Sequence, residues 1–351
     1  MLSVGVESQQ AELRASRLAS FISYSSEFNA LIGYDAKPKL LASRPVTTPF
    51  AHEGGIFVPD TNEVWFTANQ VPIQNTNVSS VDLDDNDIEQ LFIKSPILTP
   101  NGLNYFDGSV YICSQGNQTT PGAIYAVNPT TMVGRLVVNS WFGLRLNSPN
   151  DVTFSTKIAG RKYMCFTDPP FAYLQGFGSL PQMGSYVYRF DLTTEELRPV
   201  ITDLMAPNGI ALDQDEMTLY VTDTETNTLG KNTYVVYAYD LNNDGLPVNR
   251  RVFSISSLGG PDGIKVDKAG RVWIGEADGI NMRDKHGTLL GVILGRNLCQ
   301  SGVISNFALA GKTRWLLGLT ATQIHDELTT AYGQDVVSYC TVTRWIQRFS
   351  N

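Results

Sequence analysis

A pattern that recurs six times along the 351 residues constrains the fold of this chain more than any other feature. Each copy begins with Asn, Asp or Glu, continues as a short apolar run, passes a polar turn and ends in a run rich in aromatic residues and Val. The copies begin 44 to 58 residues apart, at Glu53, Asn101, Asn150, Asn208, Asp262 and Asn306. Repeats of this length are typical of solenoids and propellers.

Two further strand-like runs lie between successive copies, for example "SYVYRFDLTTEELRPVI" (185–201) and "VVYAYDLNNDGLPVNRRVF" (235–253). Their alternation of apolar and polar residues, with many β-branched and aromatic side chains, favours strands. Four strands in every ~40–50 residues is the pattern of a propeller blade. We therefore predict an all-β fold, a six-bladed β-propeller.

A propeller would bring the first residues of the copies together. The innermost strands of the blades surround a central channel, and equivalent residues on them meet at its mouth. A single Asn or Asp before a strand is more often part of an Asx turn. Six equivalent positions that all carry an oxygen-bearing side chain instead favour a site. The sequence thus predicts a ring of two carboxylates and four amides, formed by the six residues that begin the copies.

Such a ring offers oxygen ligands only. Calcium takes six to eight oxygen ligands, waters included, whereas magnesium prefers fewer protein ligands in strict octahedral geometry. We expect one Ca²⁺, with Mg²⁺ less favoured, and two carboxylates to balance its charge. The chain has only three histidines, and its four cysteines are scattered without a CxxC pair, so a zinc cluster is not expected.

Composition narrows the possible partners. The net charge of −8 and the pI near 5.0 argue against a general nucleic-acid binder. No run approaches the ~18 consecutive apolar residues of a membrane span. The first twenty residues carry several charges and lack the apolar core of a secretory signal. We expect a cytoplasmic protein that acts on a small molecule and has neither a nucleic-acid nor a membrane partner. The sequence does not specify an oligomeric state.

Four short motifs, "HEGG", "NSPNDV", "APNGIAL" and "PDGIKVD", resemble the SMP-30/gluconolactonase/LRE superfamily, and in particular its fungal lactonohydrolase branch. The resemblance runs from about residue 28 to residue 313. It implies a six-bladed propeller with one catalytic divalent cation, usually calcium, and hydrolysis of lactones. The metal ligands of the family map here to Glu53, Asn150, Asn208 and Asp262. Asp262 also matches the residue given a base or nucleophile role, and Glu53 is the second candidate base.

Other residues are assigned to the substrate pocket. Asn101 and Asn306 match ring positions that are not usual ligands, and Asn69 and Gln115 end second strands of their copies. The expected pocket residues are Asn101, Asn69, Gln115, Asn306 and His52. Animal-type members of the family carry an Arg that contacts sugar-like substrates two residues before the Asn-Asp pair, and this chain has Ser148 there.

The C-terminus departs from the family after Trp315. Within "TATQIHDELTTAYGQDVVSYCTVTRWIQRF" (320–349), Thr320 and Gln323 form a capping-box pair, and apolar residues follow at helical spacing. This segment resembles the helix-turn-helix of mariner-type transposases, but residues 312–351 carry a net charge of only +1, which is poor for reading DNA.

We predict an N-terminal extension (1–27), a propeller (28–319) whose last blade combines residues 28–45 and 306–319, and a helical tail (320–351).

These features predict a calcium-dependent hydrolase that opens a lactone ring, with Asp262 as the base. Two alternatives remain. One is another reaction on the same metal site, such as ester or phosphotriester hydrolysis, isomerisation or cyclisation. The other is a propeller that binds a ligand or a protein without catalysis.

Overall fold

The computed structural model describes residues 21–33, 38–45, 51–68, 77–158, 160–225, 233–256, 259–295, 303–310, 315–320 and 339–345. Of these, residues 38–45, 225, 233, 315–320 and 339–345 are described as backbone only. No helix in these ranges is long and apolar enough to cross a membrane.

The chain folds as a β-propeller, which confirms the predicted all-β class. Four of its blades are antiparallel sheets whose strands follow one another in chain order. The first contains β3 (Glu53–Val58), β4 (Glu63–Thr67), β5 (Val78–Asp82) and β6 (Ile88–Gln90). The second contains β7 (Pro100–Phe106), β8 (Ser109–Ser114), β9 (Ala123–Val127) and β10 (Gly134–Val138).

The third blade contains β13 (Val152–Ser155), β14 (Tyr163–Asp168), β15 (Tyr186–Asp191) and β16 (Leu197–Ile201). The fourth contains β17 (Pro207–Leu212), β18 (Thr218–Glu225), β19 (Thr233–Leu241) and β20 (Pro247–Ile255). Between the second and third blades lies a small hairpin of β11 (Ser140–Trp141) and β12 (Leu144–Arg145). A short helix, α2 (Phe171–Leu174), follows β14.

The fifth blade gains a strand from the N-terminal part of the chain. It contains β21 (Ile264–Val266), β22 (Val272–Glu276), β23 (Gly279–Arg283) and β24 (Leu289–Leu294), and β1 (Phe21–Ser23) pairs with β24. Helix α1 (Ser26–Ile32) begins after Ser25, whose hydroxyl accepts a hydrogen bond from the Glu27 N–H, and it buries Phe28 against this blade. The domain boundaries stay predictions, but residues 21–23 are already part of a blade.

A further sheet corrects the prediction for the C-terminus. It contains β25 (Ile304–Ala310), β26 (Trp315–Thr320), β27 (Tyr339–Trp345) and β2 (Pro38–Pro45), in the order β2-β27-β26-β25. The predicted helical tail is therefore wrong for residues 339–345, which pair with β26 on one side and β2 on the other. Most residues of "YCTVTRW" are β-branched or aromatic and favour a strand. Residues 321–338 lie outside the described ranges.

The Asn-Gly pairs that begin inner strands mark close contact between blades rather than hairpin turns. A Cβ on Gly102 would lie 2.1 Å from the carbonyl oxygen of Asn150, and one on Gly209 would lie 2.3 Å from that of Asp262. Only glycine fits where the backbone of the next blade approaches so closely. The glycine after the polar residue therefore allows the starts of the inner strands to converge.

Candidate functional site

The six residues that begin the sequence repeats lie at or within two residues of the starts of inner strands. These strands pack in sequence around the centre, from β3 through β7, β13 and β17 to β21, and β25 packs against β22 and β3. Five of the six residues, all except Asp262, are buried. The predicted ring, defined by Glu53, Asn101, Asn150, Asn208, Asp262 and Asn306, therefore lies at one end of the inner strands.

Hydrogen bonds between blades fix the backbone of the ring. A buried threonine near the end of a second strand donates its hydroxyl hydrogen to the carbonyl oxygen of the ring residue in the next blade. The pairs are Thr67 with Asn101 (2.9 Å), Thr167 with Asn208 (2.6 Å) and Thr222 with Asp262 (2.9 Å). Each ring residue held in this way has its position set by the blade before it.

Two buried aspartates hold the loops that lead into the ring. Asp168 accepts hydrogen bonds from the backbone N–H groups of Asn147 (2.9 Å) and Ser148 (2.8 Å). Asp223 accepts the equivalent bonds from Ala206 (2.8 Å) and Met205 (3.2 Å). Because these loops end at Asn150 and Asn208, the two aspartates position two predicted metal ligands.

Ser148, the residue that departs from the family pattern, is fully buried. Its hydroxyl donates to the Pro169 carbonyl at 2.5 Å and accepts from the Ala172 N–H at 3.1 Å. The serine thus joins the loop before Asn150 to the segment that follows β14. A side chain used in this way does not face a substrate.

Glu53 is held by the last residue of the ring. The Asn306 amide donates from Nδ2 to Glu53 Oε2 at 2.8 Å, and His52 Nε2 lies 3.8 Å from Glu53 Oε1. Burial raises the pKa of Glu53 well above its usual range, and the negative charge of Asp262 raises it further. Three predicted site residues, Glu53, Asn306 and His52, are therefore neighbours, and Asp262 lies close enough to interact with Glu53.

Asp262 is partly exposed as a residue, but its Oδ1 is buried without a hydrogen-bond partner among the described residues. Burial raises the pKa of Asp262 to about 7, and the nearby side chains of Asn208 and Ser305 offset this only in part. A buried carboxylate oxygen without a donor is costly in the isolated protein. A cation or a proton would relieve that cost.

Asp151 and Lys265 are two further charged residues beside the ring, and the sequence patterns did not predict them as part of the site. Asp151 is buried, and its Oδ2 lies 3.3 Å from the Ile210 nitrogen and 4.0 Å from Lys265 Nζ. The charge of Asp151 raises the pKa of both Glu53 and Asp262, so these carboxylates form one electrostatic cluster. Their positions in the sequence could have indicated this, because Asp151 directly follows Asn150 and Lys265 comes three residues after Asp262.

Two of the predicted pocket residues, Asn101 and Gln115, belong to the second blade. Asn101 and Gln115 are buried, and the side-chain oxygens of both have no hydrogen-bond partner in the described part of the chain. Gln115 directly follows β8 and donates its backbone N–H to the Thr99 carbonyl at 3.0 Å. Asn69 lies outside the described residues.

The ring residues fit a hard divalent cation. Within the described residues, no group of three or more His, Cys, Asp or Glu side chains is arranged to hold a metal ion, so a cation at the ring would need the amide oxygens as well as the carboxylates. Glu53, Asp262 and Asp151 together with Lys265 carry a net charge of −2 when all are ionised. Two carboxylates and the ring amides supply the oxygen donors that calcium prefers.

Comparison with solved structures shows the same fold. A gluconolactonase of Xanthomonas campestris superposes with a TM-score of 0.72 at 23% identity, over 94% of this chain and 95% of that chain. The calcium-binding protein regucalcin of Agrobacterium tumefaciens superposes with a TM-score of 0.59 at 19% identity, over 86% of this chain and 94% of that chain.

Among curated proteins, the lactonohydrolase oryH of Aspergillus oryzae is 27% identical over 313 residues, which cover 68% of this chain and 66% of that protein. The gluconolactonase of Zymomonas mobilis is 32% identical over 198 residues, which cover 54% of this chain and 52% of that protein. The chain thus spans between half and two thirds of the length of these relatives.

Two family models match the chain. The helix-turn-helix domain of Mos1 transposase matches residues 314–351, as the sequence resemblance indicated, although residues 339–345 within it form a strand. The SMP-30/gluconolactonase/LRE-like region matches residues 51–322, which include all six ring residues and most of the propeller. The chain therefore belongs to the SMP-30/gluconolactonase/LRE-like family.

Proposed function

We propose that this protein hydrolyses lactones at the ring, with one divalent cation, calcium in preference to magnesium, as its cofactor. The observation that carries the proposal is the ring itself, whose Glu53 and Asp262, together with the adjoining Asp151 and Lys265, carry a net charge of −2 when all four are ionised. The names of the relatives, lactonohydrolase and gluconolactonase, support the substrate class. The calcium-binding regucalcin of similar fold supports the cofactor.

Glu53, Asn150, Asn208 and Asp262 would hold the cation. Asn306 keeps Glu53 oriented through its 2.8 Å hydrogen bond, and Asp168 and Asp223 fix the loops that carry the two asparagines. A cation at this place supplies Lewis-acid polarisation of the lactone carbonyl. The chain provides a set of ligands whose positions are fixed before the substrate arrives.

Asp262 is the proposed base. Asp262 is partly exposed and its Oδ1 has no hydrogen-bond partner in the described residues, so the carboxylate is free to accept a proton from the attacking water. The water oxygen adds to the acyl carbon, the ring C–O bond breaks, and the leaving oxygen takes up a proton. The product is an open-chain hydroxy acid. Glu53 is the alternative base, because it lies beside Asp262 and is also buried.

Metal analysis combined with a substrate panel tests this function. We expect about one calcium per purified chain, loss of lactone hydrolysis in excess chelator, and recovery on adding calcium. Stoichiometric zinc, or full activity in excess chelator, would overturn the cofactor. Aryl esters and phosphotriesters belong in the same panel, because hydrolysis of these compounds with inert lactones would assign a different reaction to the ring.

We also infer that the sheet β2-β27-β26-β25 is a sixth blade that closes the propeller. The support is that β25 packs against both β22 and β3, and that Asn306 on β25 donates to Glu53 on β3. A chain ending at Thr320 lacks β27, which would leave β2 and β26 without their shared partner. We expect that chain to aggregate or to melt well below the full-length protein. Unchanged melting and activity would contradict the six-bladed closure.

A further inference from the structure

The hairpin of β11 and β12 has a turn whose residues do not suit its backbone. Phe142 and Gly143 are its two central residues, with φ of +49° and +83°. A two-residue turn with both central residues in the left-handed region prefers Asn-Gly or Asp-Gly. A bulky aromatic residue in that region is strained.

A second hairpin in the chain shows the expected residues. The turn between β7 and β8 has Asp107 and Gly108 at its centre, with φ of +50° and +76°. The two turns share their backbone conformation and differ in the residue at the first central position. Phe142 is therefore not explained by the turn that it occupies.

The fold does not explain Phe142 either. Its side chain is 91% exposed, and it makes an edge contact with Trp141 at 5.3 Å between ring centroids. An exposed aromatic residue held in a strained backbone conformation stabilises neither the core nor the turn. Such a residue indicates a contact with something outside the folded chain.

The hairpin lies at the ring end of the propeller. Its last residue, Arg145, donates its backbone N–H to Gln182 Oε1 at 2.8 Å, and Leu146 forms a β-bridge with Gly122. The hairpin thus lies between the loop after β8 and the segment after β14, both of which follow strands that end beside the ring. Asn150 comes only five positions after Arg145, so the two Cα atoms are at most ~18 Å apart.

Five exposed apolar side chains lie on this hairpin and on the segment bonded to it. We name them the apolar rim: Phe142 (91% exposed), Leu144 (40%), Tyr173 (45%), Leu174 (67%) and Leu180 (70%). The carboxylates and amides of the ring lie at the same end of the propeller. A polar reaction centre and an exposed apolar surface thus share one end of the fold.

We propose that the apolar rim binds an apolar substituent on the substrate, so that the preferred substrates are lactones bearing an alkyl or aryl group, with Phe142 as a specificity-determining residue. This inference rests on the proposed lactone hydrolysis. The lactone carbonyl lies at the ring and the substituent extends outward to Phe142. Burial of the substituent against the rim removes apolar surface of both from water.

Phe142→Asn tests the proposal, because asparagine suits the turn and removes the aromatic ring. Phe92→Asn is the matched control, because Phe92 is also an exposed phenylalanine, at 83%. It lies between the outer edges of the first two blades: the N–H of Leu91 bonds to the Val78 carbonyl of the first blade, and the N–H of Lys94 bonds to the Met132 carbonyl of the second. The assay compares kcat/KM for unsubstituted lactones with kcat/KM for the same lactones bearing alkyl chains of increasing length, with gel filtration and melting curves for each variant.

In the wild-type protein, kcat/KM should rise with chain length. Phe142→Asn should lower the ratio of substituted to unsubstituted kcat/KM by about tenfold, mainly through KM, without loss of melting temperature. Phe92→Asn should retain the wild-type ratio.

Three results would overturn the inference. One is hydrolysis of lactones without any dependence on the substituent, which leaves the proposed function intact. Another is a Phe142→Asn variant that changes the oligomeric state but keeps the wild-type ratio, which would assign the rim to a second copy of the chain. The last is a wild-type protein that hydrolyses no lactone at all, in which case the proposed function fails as well.

Discussion

The two ends of the blades use the same residue types in opposite ways. At the end away from the ring, Asp and Asn side chains accept hydrogen bonds from backbone N–H groups two to four residues further along the chain. Examples are Asp191, Asp213, Asp267, Asp284 and Asn242. At the ring end, Asp168 accepts from residues 20 and 21 positions away, and Asn306 donates to a residue 253 positions away.

The pKa values of the carboxylates follow this difference. Burial tends to raise the pKa of Asp284, but the N–H groups of Thr288 and His286 outweigh it, so the value lies below normal. At the ring end, burial dominates and raises the pKa of Asp262 and of Asp168 to about 7. Local donors stabilise the negative charge itself, whereas burial makes the charge costly until a cation or proton neutralises it. The same residue type is thus a turn former at one end and a candidate ligand at the other.

The largest expected effect is on turnover. Asp262→Asn keeps an oxygen at the ring but removes the proton acceptor, so kcat should fall by ~10²–10⁴-fold even in saturating calcium. Asp213→Asn, at the opposite end, should retain wild-type turnover, because the Asp213 carboxylate accepts a hydrogen bond from the Met217 N–H within its own turn. Steady-state kinetics on one lactone measures both. Near wild-type turnover in Asp262→Asn would transfer the role of base to Glu53.

The next effect is on metal affinity. Asn208→Ala removes a proposed ligand, and we expect calcium to bind about ten- to hundredfold more weakly, with activity partly restored by added calcium. Asn242→Ala removes a turn-forming amide that accepts from Asp244 and Leu246, and it should leave the calcium affinity unchanged. Calorimetric titration gives the Kd of each. Equal affinities in the two variants would remove Asn208 from the ligand set.

Substitution of one aspartate at each end of the blades tests how much each contributes to the free energy of unfolding. Asp168→Ala leaves two backbone N–H groups beneath the ring without their acceptor, and should lower the free energy of unfolding by ~2–4 kcal/mol. Asp284→Ala also removes an acceptor for two N–H groups, but these lie in an accessible turn and can bond to water. Its cost should be about 1 kcal/mol or less. Urea denaturation of both proteins measures the difference, and equal costs would refute the distinction between the two ends.

The smallest effect is a pH dependence of opposite sign at the two ends. Folded-state pKa values of about 7 for Asp262 and Asp168 exceed the unfolded value, so their contribution to stability is lost as pH rises through 7. The lowered pKa values of Asp191 and Asp284 make a contribution that is lost as pH falls through those values. In excess chelator, the melting temperature should therefore fall by several degrees from pH 5 to pH 8. Calcium should remove the part of that fall that comes from Asp262 and leave the part that comes from Asp168, so an undiminished fall in calcium would contradict the ring as a source.

Most of the fold could be predicted from the sequence, because the strand period and the repeated polar residue are local patterns. The strand at 339–345 could not, since its helical spacing and its strand-forming residues compete, and pairing on both sides decides the outcome. The six polar residues that begin the sequence repeats predicted the position of the ring. Asp151 and Lys265 were missed because they stand beside the repeated position rather than on it. The Phe142–Gly143 turn was hidden because phenylalanine violates the residue preferences of such turns.

The hydrogen bond between Asn306 and Glu53 also bears on how the protein acquires its site. It joins residues 253 positions apart, so the ring gains its last member only after almost the whole propeller has emerged from the ribosome. Contacts of such long sequence separation raise the contact order and slow folding, because the entropy of loop closure must be overcome first. Binding of the proposed cation would then report on completed folding, since a fragment that lacks β25 also lacks the amide that bonds to Glu53. A circular permutant that joins the natural ends and opens the Asp107–Gly108 turn would bring Asn306 and Glu53 to roughly 100 positions apart plus the linker, because the path between them then runs through the joined ends. This permutant should hasten the appearance of the site.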